Sequence, residues 1–123
     1  MIRFECDYAE GAHPKVLEAL VKTNFEQTPG YGVDEHCAHA QELIREACED
    51  PLANVYFVTG GTPANVTVIA SLLRPYQGCV CCKSGHINVH EAGAVEATGY
   101  KVIGLEGKDG KLSAETLRNY LES

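Results

Sequence analysis

The sequence predicts an α/β protein built on a mostly parallel sheet with helices on both faces. Three observations carry that reading. After Pro51, short apolar runs alternate three times with segments of helical period, and alternation at this spacing marks βαβ units. Right-handed crossovers lay the helices of such units over the sheet faces. Second, capping and turn residues fall at the junctions of these segments. Third, 45% apolar and 22% charged residues in a chain of 123 are values of an ordinary folded domain, and that length suffices for one core.

Residues 4–11 are mixed and show no helical period. His13-Pro14 opens a helix, with Pro14 where a missing N–H costs nothing, and Val16, Leu17, Leu20 and Val21 form one apolar stripe. Residues 24–33 read as a loop punctuated by Thr28-Pro29-Gly30-Tyr31-Gly32. Asp34 is placed to cap a second helix, with Ala40, Leu43, Ile44 and Ala47 toward the core, and Asp50-Pro51 ends it.

Residues 54–58 read as a first strand that runs into Thr59-Gly60-Gly61-Thr62-Pro63. A helix follows with Val66, Ile69, Ala70, Leu72 and Leu73, closed by Arg74-Pro75. Residues 78–82 form a second strand, 84–88 a loop, and 90–98 a small-residue helix with Gly99 as its C-cap. Residues 101–105 form a third strand, and Asp109-Gly110 turns the chain. Ser113 caps a last helix, with Leu112 and Leu117 placed as a hydrophobic staple. Residues 1–50 thus make an amino-terminal segment with its helices, and 51–123 a first βαβαβα run. Three parallel strands are few for a sheet covered on both faces, and the last residues are helical. The expectation is the amino-terminal part of a larger α/β protein.

Ten basic against seventeen acidic residues give a net charge of −7 and a pI near 5.1. That balance speaks against a nucleic acid or an anionic membrane as partner. No apolar run approaches the roughly 18 residues that span a bilayer, and Met1-Ile2-Arg3-Phe4-Glu5 lacks the basic-then-apolar order of a signal peptide. A cytoplasmic protein is expected, with its six cysteines as reduced thiols.

Chemistry concentrates at three places. The turn from Val58 into the helix at Pro63 has two glycines that let a ligand approach the backbone and a hydroxyl on Thr62. Unpaired N–H groups and the helix dipole make such a terminus an anion site, here at the carboxyl end of a strand, where parallel sheets bind ligands. It is neither a Walker motif nor the dinucleotide pattern, and Thr62 as a plain helix cap is the alternative. The second place is Gly85-His86-Ile87-Asn88-Val89-His90-Glu91, after the next strand, with two histidines one helical turn apart. Zinc on Cys79, Cys82, His86 and His90 is the competing reading. Cys79 and Cys81 share one strand face, however, with Cys82 opposite, and no Cys-x-x-Cys knuckle is present. The third place is Cys6-Asp7-Tyr8 with Glu10 to Pro14. His36 and His39 read as a solvated helix face.

In order, Phe4-x-x-Asp7-Tyr8, Glu10-Gly11-Ala12-His13-Pro14, Gln27-Thr28-Pro29-Gly30-Tyr31-Gly32, Gly60-Gly61-Thr62-x-x-Asn65, Leu73-Arg74-Pro75 and Gly85-His86-Ile87 with His90-Glu91-x-Gly93-Ala94 are similar to the amino-terminal portion of the low-specificity threonine aldolase and β-eliminating lyase family. The resemblance covers essentially the whole chain. It implies the aspartate-aminotransferase fold (fold type I), with residues 51–123 the first part of its large cofactor-binding domain, and pyridoxal 5'-phosphate as cofactor. It implies retro-aldol cleavage of L-threonine, or of a similar β-hydroxy amino acid, to glycine and an aldehyde.

The same resemblance assigns roles. Gly61 and Thr62 match the cofactor-phosphate loop, with Gly60 and Asn65 flanking it. His86 matches the histidine that stacks on the pyridine ring and takes part in proton transfer, and His90 joins it as a second catalytic residue. His90 stands where many threonine aldolases carry tyrosine, and Glu91 orients this neighbourhood. Cys6, where a serine is usual, lies with Asp7 and Tyr31 on the substrate side, Tyr31 reaching the partner subunit of a homodimer or homotetramer. None of the six lysines matches the Schiff-base lysine, which the resemblance places beyond residue 123. Residues 1–123 alone are therefore expected to be inactive. Another β-eliminating amino acid lyase and a non-catalytic truncated domain are the alternatives.

Overall fold

The computed structural model describes residues 5, 6 and 9–123. The chain divides into two compact units, Met1–Tyr56 and Phe57–Ser123.

The described residues of the first unit form two helices, α1 (Pro14–Thr23) and α2 (Glu35–Ala47). Both begin where capping chemistry predicts. Nδ1 of His13 accepts the Lys15 N–H at 3.2 Å, and Pro14 occupies the first turn. The Asp34 carboxylate accepts the Cys37 N–H at 2.9 Å, a bond that satisfies one of the orphan donors of the helix start and lowers the Asp34 pKa. Gln41 Nε2 donates to the Val55 carbonyl at 3.1 Å and Arg45 Nε to the Ala53 carbonyl at 2.9 Å, fastening the chain after Pro51 to α2. No described residue of this unit is buried. The expected apolar faces therefore do not meet a core here: Val21 is 75% exposed on α1 and Leu43 51% on α2. Helical period arranges an apolar stripe, but only a second packed element removes it from water.

The second unit contains α3 (Gly61–Leu72), β1 (Gly78–Cys82), a single turn α4 (His86–Val89), a 3-10 turn (Glu96–Thr98), β2 (Lys101–Leu105) and α5 (Ala114–Leu121). β1 and β2 pair in parallel from Gly78 opposite Lys101 to Cys82 opposite Leu105. Gly78 is required by that pairing, because a Cβ there would lie 2.8 Å from the Lys101 carbonyl oxygen. Asp109 and Gly110 take left-handed φ of 54° and 73°, and Lys108 and Lys111 exchange two backbone hydrogen bonds of 3.0 Å across them, the geometry of a primed hairpin turn. Ser113 Oγ accepts the Thr116 N–H at 3.0 Å and caps α5.

Three expectations are corrected. Residues 54–58 form no strand, because a strand exists only beside a hydrogen-bonded neighbour and the described sheet has two strands, β1 and β2. Tyr56 is left 83% exposed. The helix expected over 90–98 is instead the single turn α4, which begins at His86, followed by turns and the short 3-10 turn. Ala92 at φ 50° and Gly93 at φ 75° break it, since left-handed residues cannot continue a right-handed helix. Gly99, at φ 92°, ends the 3-10 turn as predicted. Finally, the cap of α3 is Gly60, with no side-chain hydrogen bond, so Thr62 lies within the first turn and is not the cap.

Candidate active site

The chemistry of the second unit gathers around one carboxylate. Glu91 leaves α4 just after its C-cap, His90, and is one of the unit's two buried residues together with Val95. Its Oε1 lies 2.6 Å from Asn65 Nδ2 and 2.7 Å from His86 Nδ1. Oε2 is equally buried and has no partner among the described residues. The Asn65 hydrogen bond, and to a smaller degree that of His86, lower the Glu91 pKa against the opposing effect of burial. Glu91 is thus held as a carboxylate, acceptor on both oxygens.

Each partner is positioned by backbone. Asn65 sits one turn beyond Thr62 on α3. His86 opens α4 directly after Gly85, which is itself packed so closely that a Cβ would come within 2.9 Å of the Cys82 carbonyl oxygen. The site therefore lies at the carboxyl end of β1. The His86 and His90 rings are 5.4 Å apart and tilted by 48°, one helical turn from each other, as expected from their spacing. His86 presents most of its ring to solvent while Glu91 is fully covered.

At the start of α3 the N–H groups of Gly61 and Thr62 donate to no partner among the described residues. Gly60 brings no side chain to the cap, and a Cβ at Gly61 would meet nothing within 4 Å. Two free donors, a half-buried Thr62 and the positive end of a twelve-residue helix thus occur together at this terminus. The remaining helices with sequence-predicted starts fill this position with His13, Asp34 or Ser113.

Cys6 is half-buried and Tyr31 fully exposed with a left-handed φ of 65°, and both belong to the first unit. Asp7 lies outside the described residues. Cys79, Cys81 and Cys82 are free thiols on β1, the first two with pKa raised by burial. Among the described residues, no three His, Cys, Asp or Glu side chains form a metal-binding group. Lys83, just after β1, is engaged by Glu106. Sequence reasoning missed the link from Asn65 to Glu91. The two are twenty-six positions apart, and no local period connects them.

The profile of the beta-eliminating lyases matches residues 5–123. The chain belongs to the beta-eliminating lyase family. Among curated relatives, the low specificity L-threonine aldolase of a Pseudomonas species is 30% identical over 118 residues, covering 94% of this chain and 34% of that protein. The enzyme of the same name from Pseudomonas aeruginosa is 29% identical over 119 residues, covering 95% and 34%. The solved threonine aldolase of Leishmania major is similar at 43% identity and TM-score 0.89, over 94% of this chain and 34% of that one. The chain thus spans about a third of the length of these relatives. Its fold is the α/β fold of fold-type-I pyridoxal-phosphate enzymes, in its amino-terminal part. No described helix of this family member is long and apolar enough to cross a membrane.

Proposed function

We propose that these residues serve a pyridoxal-phosphate-dependent lyase that cleaves L-threonine, or a similar β-hydroxy amino acid, to glycine and an aldehyde. The observation that carries this reading is the buried Glu91 carboxylate, joined to His86 on one side and to Asn65 of the phosphate-type helix start on the other. The chain's own chemistry fits the cofactor. The uncapped N–H groups of Gly61 and Thr62 suit a phosphate, the exposed His86 ring offers a face for stacking, and Glu91 has acceptor capacity to spare.

Gly60 gives the phosphate room, Gly61 and Thr62 donate to it, and Asn65 keeps the next turn of α3 tied to Glu91. Once bound, the cofactor supplies the electron sink for breaking the bond between the α and β carbons. His86, held through Nδ1, has Nε2 left to take the proton of the substrate's β-hydroxyl. His90 serves the same hydroxyl from the next turn. The lysine that joins the cofactor lies beyond residue 123, and Lys83 is not its substitute. Cys6, Asp7 and Tyr31 line the substrate side, in a homodimer or homotetramer of the cytoplasm.

The test is the absorption spectrum of the longest natural chain on adding pyridoxal phosphate, with borohydride trapping and peptide mapping. A near-visible band trapped on a lysine beyond Ser123, with glycine and acetaldehyde formed from L-threonine, supports the reading. A longer chain that develops no such band overturns it. A band with turnover of other amino acids, but not of threonine, supports a different β-eliminating lyase.

A further inference from the structure

We propose that Asn65 and Glu91 are positioning residues that lock His86 in the tautomer with its proton on Nδ1, leaving Nε2 as the only working nitrogen of that ring.

A carboxylate accepts and cannot donate. Two side chains meet the same oxygen, Asn65 Nδ2 at 2.6 Å and His86 Nδ1 at 2.7 Å, so both must bring a hydrogen. For His86 that hydrogen sits on Nδ1. For Asn65 it fixes the amide with its nitrogen toward Glu91, an orientation set by the hydrogen-bond network itself. The carboxylate cannot swing to water, because its side chain is fully covered. Reorienting it would leave a buried charge without donors, which is costly. The groups around the ring agree. His90 stands 5.4 Å away, ring to ring, and is not hydrogen-bonded to it. From α3, the side chain that meets Glu91 is uncharged Asn65, and Lys83 is engaged by Glu106. Glu91 alone selects the tautomer, and Asn65 holds Glu91.

The catalytic meaning of the lock rests on the proposed lyase function, but the lock itself is a property of the chain without cofactor. Its test is nitrogen-15 NMR of the imidazole groups in the full natural chain, free of pyridoxal phosphate. Wild type is expected to show His86 as the Nδ1–H form, with that proton far downfield. Removing the competing donor in Asn65→Leu leaves the carboxylate to His86 alone and moves the proton further downfield. Glu91→Gln keeps the shape with a neutral, weaker acceptor and moves it upfield. Glu91→Leu releases the ring to the Nε2–H form. Loss of structure would erase the resonance in every variant and could not produce shifts of opposite sign. If Glu91→Leu does not fold, the opposed shifts of Asn65→Leu and Glu91→Gln decide. An Nε2–H form in wild type, or equal shifts in those two variants, overturns the proposal. A locked tautomer in a chain that binds no cofactor would sink the lyase reading alone, and a cofactor-binding chain with an unlocked ring would sink the lock alone.

Discussion

Two histidine–glutamate pairs of this chain share a separation of 2.7 Å and differ in everything else. In the first unit, His36 Nε2 meets Glu26, with both side chains about half exposed at 57% and 50%. In the second, His86 Nδ1 meets Glu91, whose side chain is fully covered and backed by Asn65. Water competes for every hydrogen bond of the exposed pair, and salt screens it. The covered carboxylate has no such escape, so its donors are held in one geometry. Equal distance does not mean equal constraint. The buried partner turns a contact into a positioning device.

The largest expected effect separates the two histidines. On the proposed lyase reading, His86→Asn in the full natural chain should lower kcat by about 10²- to 10⁴-fold, the range of a lost acid–base group, while His36→Asn should leave it within about twofold. Steady-state turnover of threonine reads both. Comparable losses in the two would abolish the distinction drawn between the pairs.

The glutamates come next. Glu91→Gln keeps the shape but weakens the acceptor that orients His86, and should cost about tenfold in kcat, the loss of the charge assistance of one hydrogen bond, with a smaller change in KM. Glu26→Gln should cost nothing measurable. A KM-dominated loss in Glu91→Gln would mean that the carboxylate serves binding, not the orientation of His86.

Thr62→Val tests how far the arrangement extends along α3. Deleting one hydrogen bond to a charged group should weaken pyridoxal phosphate about tenfold, measured by equilibrium titration, and leave the His86 tautomer unchanged. Unaltered affinity would remove Thr62 from the phosphate site.

The smallest effect is on stability, and its sign differs between the pairs. Glu26 raises the His36 pKa from its ordinary 6.5. That contribution is complete below pH 6.5 and is lost as pH rises through the raised value. Glu91 titrates below its ordinary 4.5, through Asn65 first. Its contribution is present above pH 4.5 and is lost as pH falls through the lowered value. Thermal midpoints against pH should therefore fall on the alkaline side in a way that Glu26→Gln removes, and on the acid side in a way that Glu91→Gln removes. The same dependence in both variants would show that neither pair contributes.

Helix starts and tight turns were legible in the sequence because they are local. Asp34 and Ser113 cap the helices they were expected to cap, and Asp109-Gly110 turns where its type requires. The presence of a helix after Gly60-Gly61 and the one-turn spacing of His86 and His90 were legible for the same reason. Other expectations failed where the outcome depends on distant partners. The 54–58 run has the composition of a strand but no neighbour to pair with among the described residues. Residues 90–98 have helix-forming composition, yet Ala92 and Gly93 turn left-handed where the chain wraps Glu91 and Val95 inside.

By itself, the sequence determined the caps, the turns and the residue types of the site, since each depends on neighbours within a few positions. Only the tertiary structure decided that α3 starts on Gly60 with its donors free. Only it decided that Asn65, twenty-six positions from Glu91, shares one buried oxygen of that carboxylate with His86. The reason is physical. A cap or a turn is satisfied by the next few residues, whereas a buried carboxylate must collect its donors from whatever the fold brings within 3 Å.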